Sequence, residues 1–344
     1  MIDQTILPFK LDTTRDSITA QAGLVLFGEF VLGLNFEHLC MRHLPAPGSA
    51  AGYSPLAFVF PLQLLFNGGG HCLEDLRMIE RDSALREALG LNEIPSTDAV
   101  GDWLRRMGSG AGLRGLERIN QRVVARELAQ EAGTDYTLDT DATIIEAEKR
   151  SAQMTYKGMK GYSPLVSHLA ENGLVLDAEF REGNASPQSG NLVALKRCGG
   201  RLSRLSGGKK RIKYFRSDSA AYQAELLDWC EDQGIQYAVG ADLDSAVREN
   251  IASLPASAWR AIDGGQLAET VHSMNASRHS FRLIVVKRPM QGHLFGEAAE
   301  HFTVIASNRG EDAETVLTWY NQRGDQSENR LKELKSGKGV AERV

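Results

Sequence analysis

The order of elements written between Asp135 and Asp242 constrains this chain more than any other feature. DYTLDTDATII alternates at period two, as a strand buried on one side does. SPLVSHLAE and LVLDAEFRE read as two further strands, and the Asn172-Gly173 between them is a strong hairpin signal. A helix from about Ser189 to Arg197 follows. IKYFRSD then reads as a strand, SAAYQAELLDWCEDQG as a helix and IQYAVGAD as a strand. A hairpin beside a strand, followed by two strand–helix returns, calls for one mixed sheet. Antiparallel partners can follow a tight turn, whereas parallel partners need a crossover.

This order predicts an α/β core with a mixed sheet of the ribonuclease-H type. Residues 1–130 read instead as a helical region. AGLVLFGEFVLGL has the spacing of a buried helix, and LAFVFPLQLLF runs into the stop signal Asn67-Gly68-Gly69-Gly70. That glycine run is not a phosphate-binding loop, because a helical pattern precedes it and no Lys-Ser/Thr pair follows. CLEDLRMIERDSALREALG reads as helix, and Pro95-Ser96-Thr97-Asp98 caps another, AVGDWLRRMG. Such a pair of short helices serves as a helix-turn-helix in some proteins and as ordinary packing in more. Beyond residue 240, AWRAI, SFRLIVVKRP and HFTVIASN read as strands. GEDAETVLTWYNQRGDQSENRLKELKSG, about 311–336, reads as a terminal helix broken near Arg323-Gly324.

With 42% hydrophobic and 24% charged residues the composition is that of a soluble globular protein. The longest apolar run, Leu56 to Phe66, is too short to span a bilayer and contains Pro61. No secretory signal pattern opens the chain, and four scattered cysteines form no Cys-x-x-Cys pair, so a reducing cytoplasm is expected and no membrane partner. A net charge of −5 argues mildly against nucleic acid. Between Lys196 and Arg216, however, stand nine basic residues and no acidic one, with Lys209, Lys210 and Arg211 at the centre. This stretch is either a solvated loop beside a strand or a local DNA-binding patch.

Metal-assisted phosphoryl chemistry needs several carboxylates converging on one point. Asp139 and Asp141 lie two apart on a predicted strand and share a face, although aspartate is disfavoured inside strands. The bland alternative is the wet side of an edge strand. Asp218 closes IKYFRS, where helix capping alone would explain it. Glu328 and Lys335 are seven apart on the terminal helix and so nearly share a face.

Taken together, LDTDAT, FRSDSAAY and WYNQRGDQSENRLKELK resemble the three acidic blocks of DDE insertion-sequence transposases, in the subgroup with a Tyr–Arg–Glu–Lys signature. The flanking IEAEKRSAQMTYKGMKGYSPL, EFREGN and GGGHCLEDLRMIERDSALREALGL agree, so the resemblance covers nearly the whole chain. It implies a ribonuclease-H-like catalytic domain over 131–344, a β-rich insertion at about 245–308, and a helical 1–130 used for DNA binding or multimerisation. It implies Asp141, Asp218 and Glu328 as catalytic and metal-binding acids, with Asp139 competing for the first place. Tyr320, Arg323 and Lys335 match the remaining signature positions, which contact DNA. The implied cofactor is Mg²⁺ or Mn²⁺. The implied partner is double-stranded DNA, both terminal inverted repeats and target, handled by a homo-oligomer in a bacterial cytoplasm. The resemblance also carries two departures. Four residues rather than three separate Arg323 from Glu328, and the chain stops soon after Lys335, as a truncated copy would. A non-catalytic protein that only binds DNA ends is therefore the alternative expectation.

Overall fold

The computed structural model describes residues 13–48, 52–108, 110–289 and 300–336, the last without the side chains of 325–328 and 331–336. The chain divides into two compact units at Val123–Val124. In the first, α1 (Ala22–Gly33), α2 (Phe36–His43), α3 (Pro55–Asn67), α4 (Leu76–Arg81), α5 (Ser83–Ala88) and α6 (Thr97–Met107) precede α7 (Ala111–Gln130), within which the division falls. Helix α3 starts where Ser54 Oγ accepts from the Ala57 N–H and Pro55 pre-sets the first turn. Its Phe58, Phe60, Leu64 and Leu65 form the centre of the core. Val100, Trp103 and Met107 make one buried stripe on α6, and Trp103 stacks on Phe58 with ring centroids 5.0 Å apart. Among the described residues no single helix is long and apolar enough to cross a membrane.

The second unit is built on strand β1 (Asp135–Ala142). A small sheet follows it: β2 (Ile145–Glu146), β3 (Gln153–Met154) and β4 (Lys160–Tyr162), in the order β2-β4-β3. Next come β5 (Leu165–Leu169), β6 (Val175–Glu179), α8 (Asn191–Leu205), β7 (Arg211–Ser217), α9 (Ala224–Gln233) and β8 (Gln236–Gly240). The remainder is α10 (Ser245–Ala252), β9 (Arg260–Ile262), β10 (Gly265–His272), β11 (Phe281–Pro289), β12 (Glu300–Ser307) and α11 (Ala313–Ser336). The main sheet runs β6-β5-β1-β7-β8-β12-β11-β10-β9 among the described residues. β1 is antiparallel to β5 and parallel to β7, which is parallel to β8, so the first five strands have the ribonuclease-H-like order. The β5–β6 turn is the expected one: Gly173 has φ +78°, and Asn172 Oδ1 accepts from the Leu174 N–H.

Strands β9 to β12 do not form a separate body. They continue the same sheet, with β12 antiparallel to β8. Both faces of that sheet are covered. Phe281, Leu283 and Val285 of β11 join the core that includes α8 and α9, while Ile284 and Val286 meet Ala313, Val316 and Leu317 of α11. The period-two alternation thus reads as two apolar sides, which is why SFRLIVV is almost continuously hydrophobic. Helix α11 is unbroken. The break expected at Arg323-Gly324 is absent because Gly324 sits on an exposed turn, where a helical glycine costs only about 1 kcal/mol against alanine.

Candidate active site

Asp139 and Asp141 of β1 share a face with Tyr214 and Arg216 of β7, and that face meets α11. Two rungs of charge result. The inner rung pairs Asp139 with Arg216, opposite each other in the parallel register. Asp139 is fully buried and accepts two parallel hydrogen bonds, from Arg216 Nε at 2.8 Å and Nη2 at 2.8 Å. Arg216 Nη1 donates to the Trp319 carbonyl at 2.6 Å, and the guanidinium lies over the Trp319 ring. His168, across the antiparallel register from Asp139, is pushed down to about 4 by burial against the opposing pull of Asp139, so it is neutral at pH 7. Its Nε2 stands 3.8 Å from Asp139 Oδ2, beyond hydrogen-bond reach.

The outer rung lies one step towards the C-terminal ends of the two strands. Asp141 is mostly buried and meets Arg323 Nη1 at 3.2 Å. Burial pushes its carboxyl up to about 6, the charge of Asp218 adds to this, and Arg323 opposes it. Asp218 ends β7 and caps the short 3₁₀ turn Ser219–Ala221 by accepting from the Ala220 N–H at 3.0 Å. The capping role does not remove it from the rung. α11 supplies Arg323, whose guanidinium lies 5.6 Å from the Tyr320 ring centroid. Burial alone would lower the Arg323 guanidinium, but Tyr320, Asp141 and Asp218 hold it up. Tyr320 is itself raised, burial being the main cause. At the end of β8, Gly240 leaves room for this cluster: a Cβ there would lie 3.0 Å from the Tyr320 hydroxyl and 3.1 Å from the Ser219 nitrogen.

Four of the residues singled out in the sequence thus come together: Asp141, Asp218, Tyr320 and Arg323. Asp139 does not join them, since both its oxygens are engaged by Arg216, and β1 is a central strand rather than a wet edge. Glu328 and Lys335 lie on α11, but their side chains fall outside the described residues. On the unbroken helix Glu328 is five residues, hence about 140°, round from Arg323. Arg330, about 20° from the face of Arg323, donates to the Leu169 and Ala170 carbonyls at 2.9 Å each and straps the helix to the end of β5. Among the described residues no cluster of three or more metal-ligating side chains occurs.

Most of the basic stretch is already engaged within the fold. Lys210 is buried, and its ammonium donates to the Glu131 and Gly133 carbonyls and to the Tyr136 hydroxyl. Arg211 and Lys213 pair with Asp135, Arg197 and Arg201 with Asp177, and Arg216 with Asp139. Lys209 is exposed. Lys209 to Arg211 also lead into the start of β7, roughly 25 Å of strand away from Asp218. Arg216, Gly240 and Trp319 were not expected at the site. The one available signal was Arg216, two residues before Asp218 and so on its face of β7.

A ribonuclease-H-like sheet with two aspartates at the ends of its adjacent central parallel strands defines the structural class. The sequence places the chain within it: a family model described as transposase DDE domain, group 1, matches residues 7–342, and the chain belongs to that family. Among solved structures it is similar to a chain in the crystal structure of a pre-cleavage Mos1 transpososome, at 13% identity over 64% of this chain and 78% of that one. The TM-score of 0.21 is too low for that likeness to bear on the site. No curated protein gives a significant sequence match.

Proposed function

We propose that this chain is a DNA transposase that cuts DNA at the ends of an insertion sequence and joins the freed 3′ end to target DNA. The observation that carries this reading is the outer rung: Asp141 and Asp218 face each other from neighbouring strand ends with Arg323 and Tyr320 beside them. The donors are hard carboxylate oxygens, suited to Mg²⁺ or Mn²⁺. The raised Asp141 carboxyl supports the fit, because a buried acid beside a second acid with one arginine lacks positive charge. Bound divalent ions would activate the attacking oxygen and stabilise the leaving one.

Asp141 and Asp218 would hold the ions. Glu328, the third acid of the family pattern, sits about 140° round α11 from Arg323, so its carboxylate would join them only if the helix turns there. Arg323 gives one Nη to Asp141, and its buried Nε has no partner among the described residues. It therefore keeps N–H groups for a phosphate oxygen. Tyr320 would fix the position of Arg323 through the ring face, and Lys335 would add a point charge on the DNA backbone. Double-stranded DNA as partner, and a multimer that brings two ends together, rest on the family alone.

The test is Mg²⁺- or Mn²⁺-dependent cleavage of DNA carrying the element's ends, comparing wild type with Asp141→Ala, Asp218→Ala and Glu328→Ala. Cleavage should fall to background in all three while DNA binding persists. A Mn²⁺-induced rise in Tm should appear in wild type and vanish in Asp141→Ala. A wild type that binds the ends without cutting would sink the enzymatic reading and leave a DNA-binding protein.

A further inference from the structure

Four residues after Asp141 the chain enters the small sheet β2-β4-β3, which so far has no role. Its two sides differ sharply. Gly161, the middle residue of β4, allows a close backbone approach on one side: a Cβ there would lie 2.3 Å from the Ile145 carbonyl oxygen. A Cβ on Gly183 would lie 2.3 Å from the Gly161 carbonyl oxygen, so that side is closed by main chain. The pairs Ile145–Tyr162 and Met154–Lys160 share the other side, because cross-strand partners and alternate residues point the same way.

This second side is apolar, aromatic and basic, and much of it faces water. Met154 is 59% exposed and Phe180 66%, and Tyr156, in the turn that follows β3, is 61% exposed. Phe180 lies against Tyr162 with ring centroids 4.8 Å apart, and Lys157 reaches over the Tyr156 ring. From Ile145 to Tyr162 the chain carries four basic residues, Lys149, Arg150, Lys157 and Lys160, against Glu146 and Glu148. None of the four has an ion pair among the described residues, unlike most of the basic stretch around Lys210. Glu182, bridged to Tyr162, is the acid on the same side.

From this surface we infer that the small sheet is a grip for unpaired nucleotides of the DNA strand next to the cleavage point. The inference rests on the transposase reading for its substrate. Flat aromatic faces with unpaired lysines between them suit bases that have left the stack, because every base offers a π-face and every linkage a phosphate. A duplex hides its base faces, so it would meet the lysines alone. Because β2 follows β1 directly, a strand held here lies beside the Asp141 end of the sheet.

The test is fluorescence-anisotropy binding of the full chain, without divalent metal, to a 20-nucleotide oligo-dT and to a duplex of equal length at several salt concentrations. Tyr156→Ala and Phe180→Ala should each weaken oligo-dT binding by about tenfold, with duplex binding and salt slope unchanged. Tyr156→Phe should bind as wild type does. Lys157→Ala with Lys160→Ala should lower the salt slope by about one to two on both probes. All these side chains are at least partly exposed, and matching thermal melts would confirm folding. Aromatic variants that bind oligo-dT like wild type, or lose both probes equally, would overturn the grip, as would a wild type with no affinity for oligo-dT. Metal-dependent cleavage in wild type, scored separately, tells that failure apart from failure of the transposase reading.

Discussion

Asp139 and Asp141 are the same residue on the same face of the same strand, 2 positions apart, yet they live in opposite electrostatic regimes. Asp139 is buried with a bidentate guanidinium, and the remaining nitrogen of that guanidinium donates to the Trp319 carbonyl. Its rung is closed. Asp141 shares one arginine with Asp218, and burial pushes its carboxyl up to about 6. Its rung is short of positive charge. A balanced ion pair resists further ligands, whereas an unbalanced acid pair at a strand end invites a cation. One step along a strand separates scaffold from site.

The largest effect that would break this contrast lies on the inner rung. Asp139→Ala should cost about 3–5 kcal/mol in denaturant unfolding, because it leaves Arg216 charged and buried. A loss under 1 kcal/mol would mean that the inner rung is not structural. Asp141→Asn should have the opposite sign in metal-free protein, stabilising it by about 1–3 kcal/mol at pH 7–8. The folded carboxyl titrates near 6 and the unfolded one near 3.8, so wild type loses this stability as pH rises between those values. Below pH 4 the two proteins should therefore melt alike, and a difference that persists there would refute the assignment to Asp141.

Smaller effects would sharpen the picture. Gly240→Ala should cost about 1–3 kcal/mol through contact with the Tyr320 hydroxyl and the Ser219 nitrogen. It should also slow cleavage, since those atoms border the outer rung. Lys210→Ala should cost about 1–3 kcal/mol by leaving the carbonyls of Glu131 and Gly133 without their donor. Its effect on the salt dependence of DNA binding should be negligible. The exposed Lys209→Ala should stay within about 0.5 kcal/mol of wild type.

Much of this could be read from local pattern. The Asn172-Gly173 hairpin, the strands around Asp141 and Asp218, and the cap at Asp218 all follow from short-range rules. Other features depend on partners far along the chain. No local property distinguishes Asp139 from Asp141; the choice lies in Arg216 meeting the inner of the two. The run from Lys196 to Arg216 is ambiguous in the sequence because Asp135 and Asp177, which pair with four of its members, are distant in sequence. Strand β10 carries Glu269 on one face and His272 on the other, and has too little apolar alternation to stand out. Strands β2 and β3 are two residues each, below the length at which period two can be counted.

The bond from Arg216 to the Trp319 carbonyl spans 103 positions of sequence. During synthesis, Asp139 and Arg216 emerge long before their capping carbonyl, and Asp141 long before Arg323. The inner rung closes only when α11 is available, so a nascent chain that lacks it holds neither a finished scaffold nor a finished site. Folding order then acts as a timer, expected to show in pulse-labelled hydrogen exchange as late protection of β1 and β7. Any competence to cut DNA would arrive with α11.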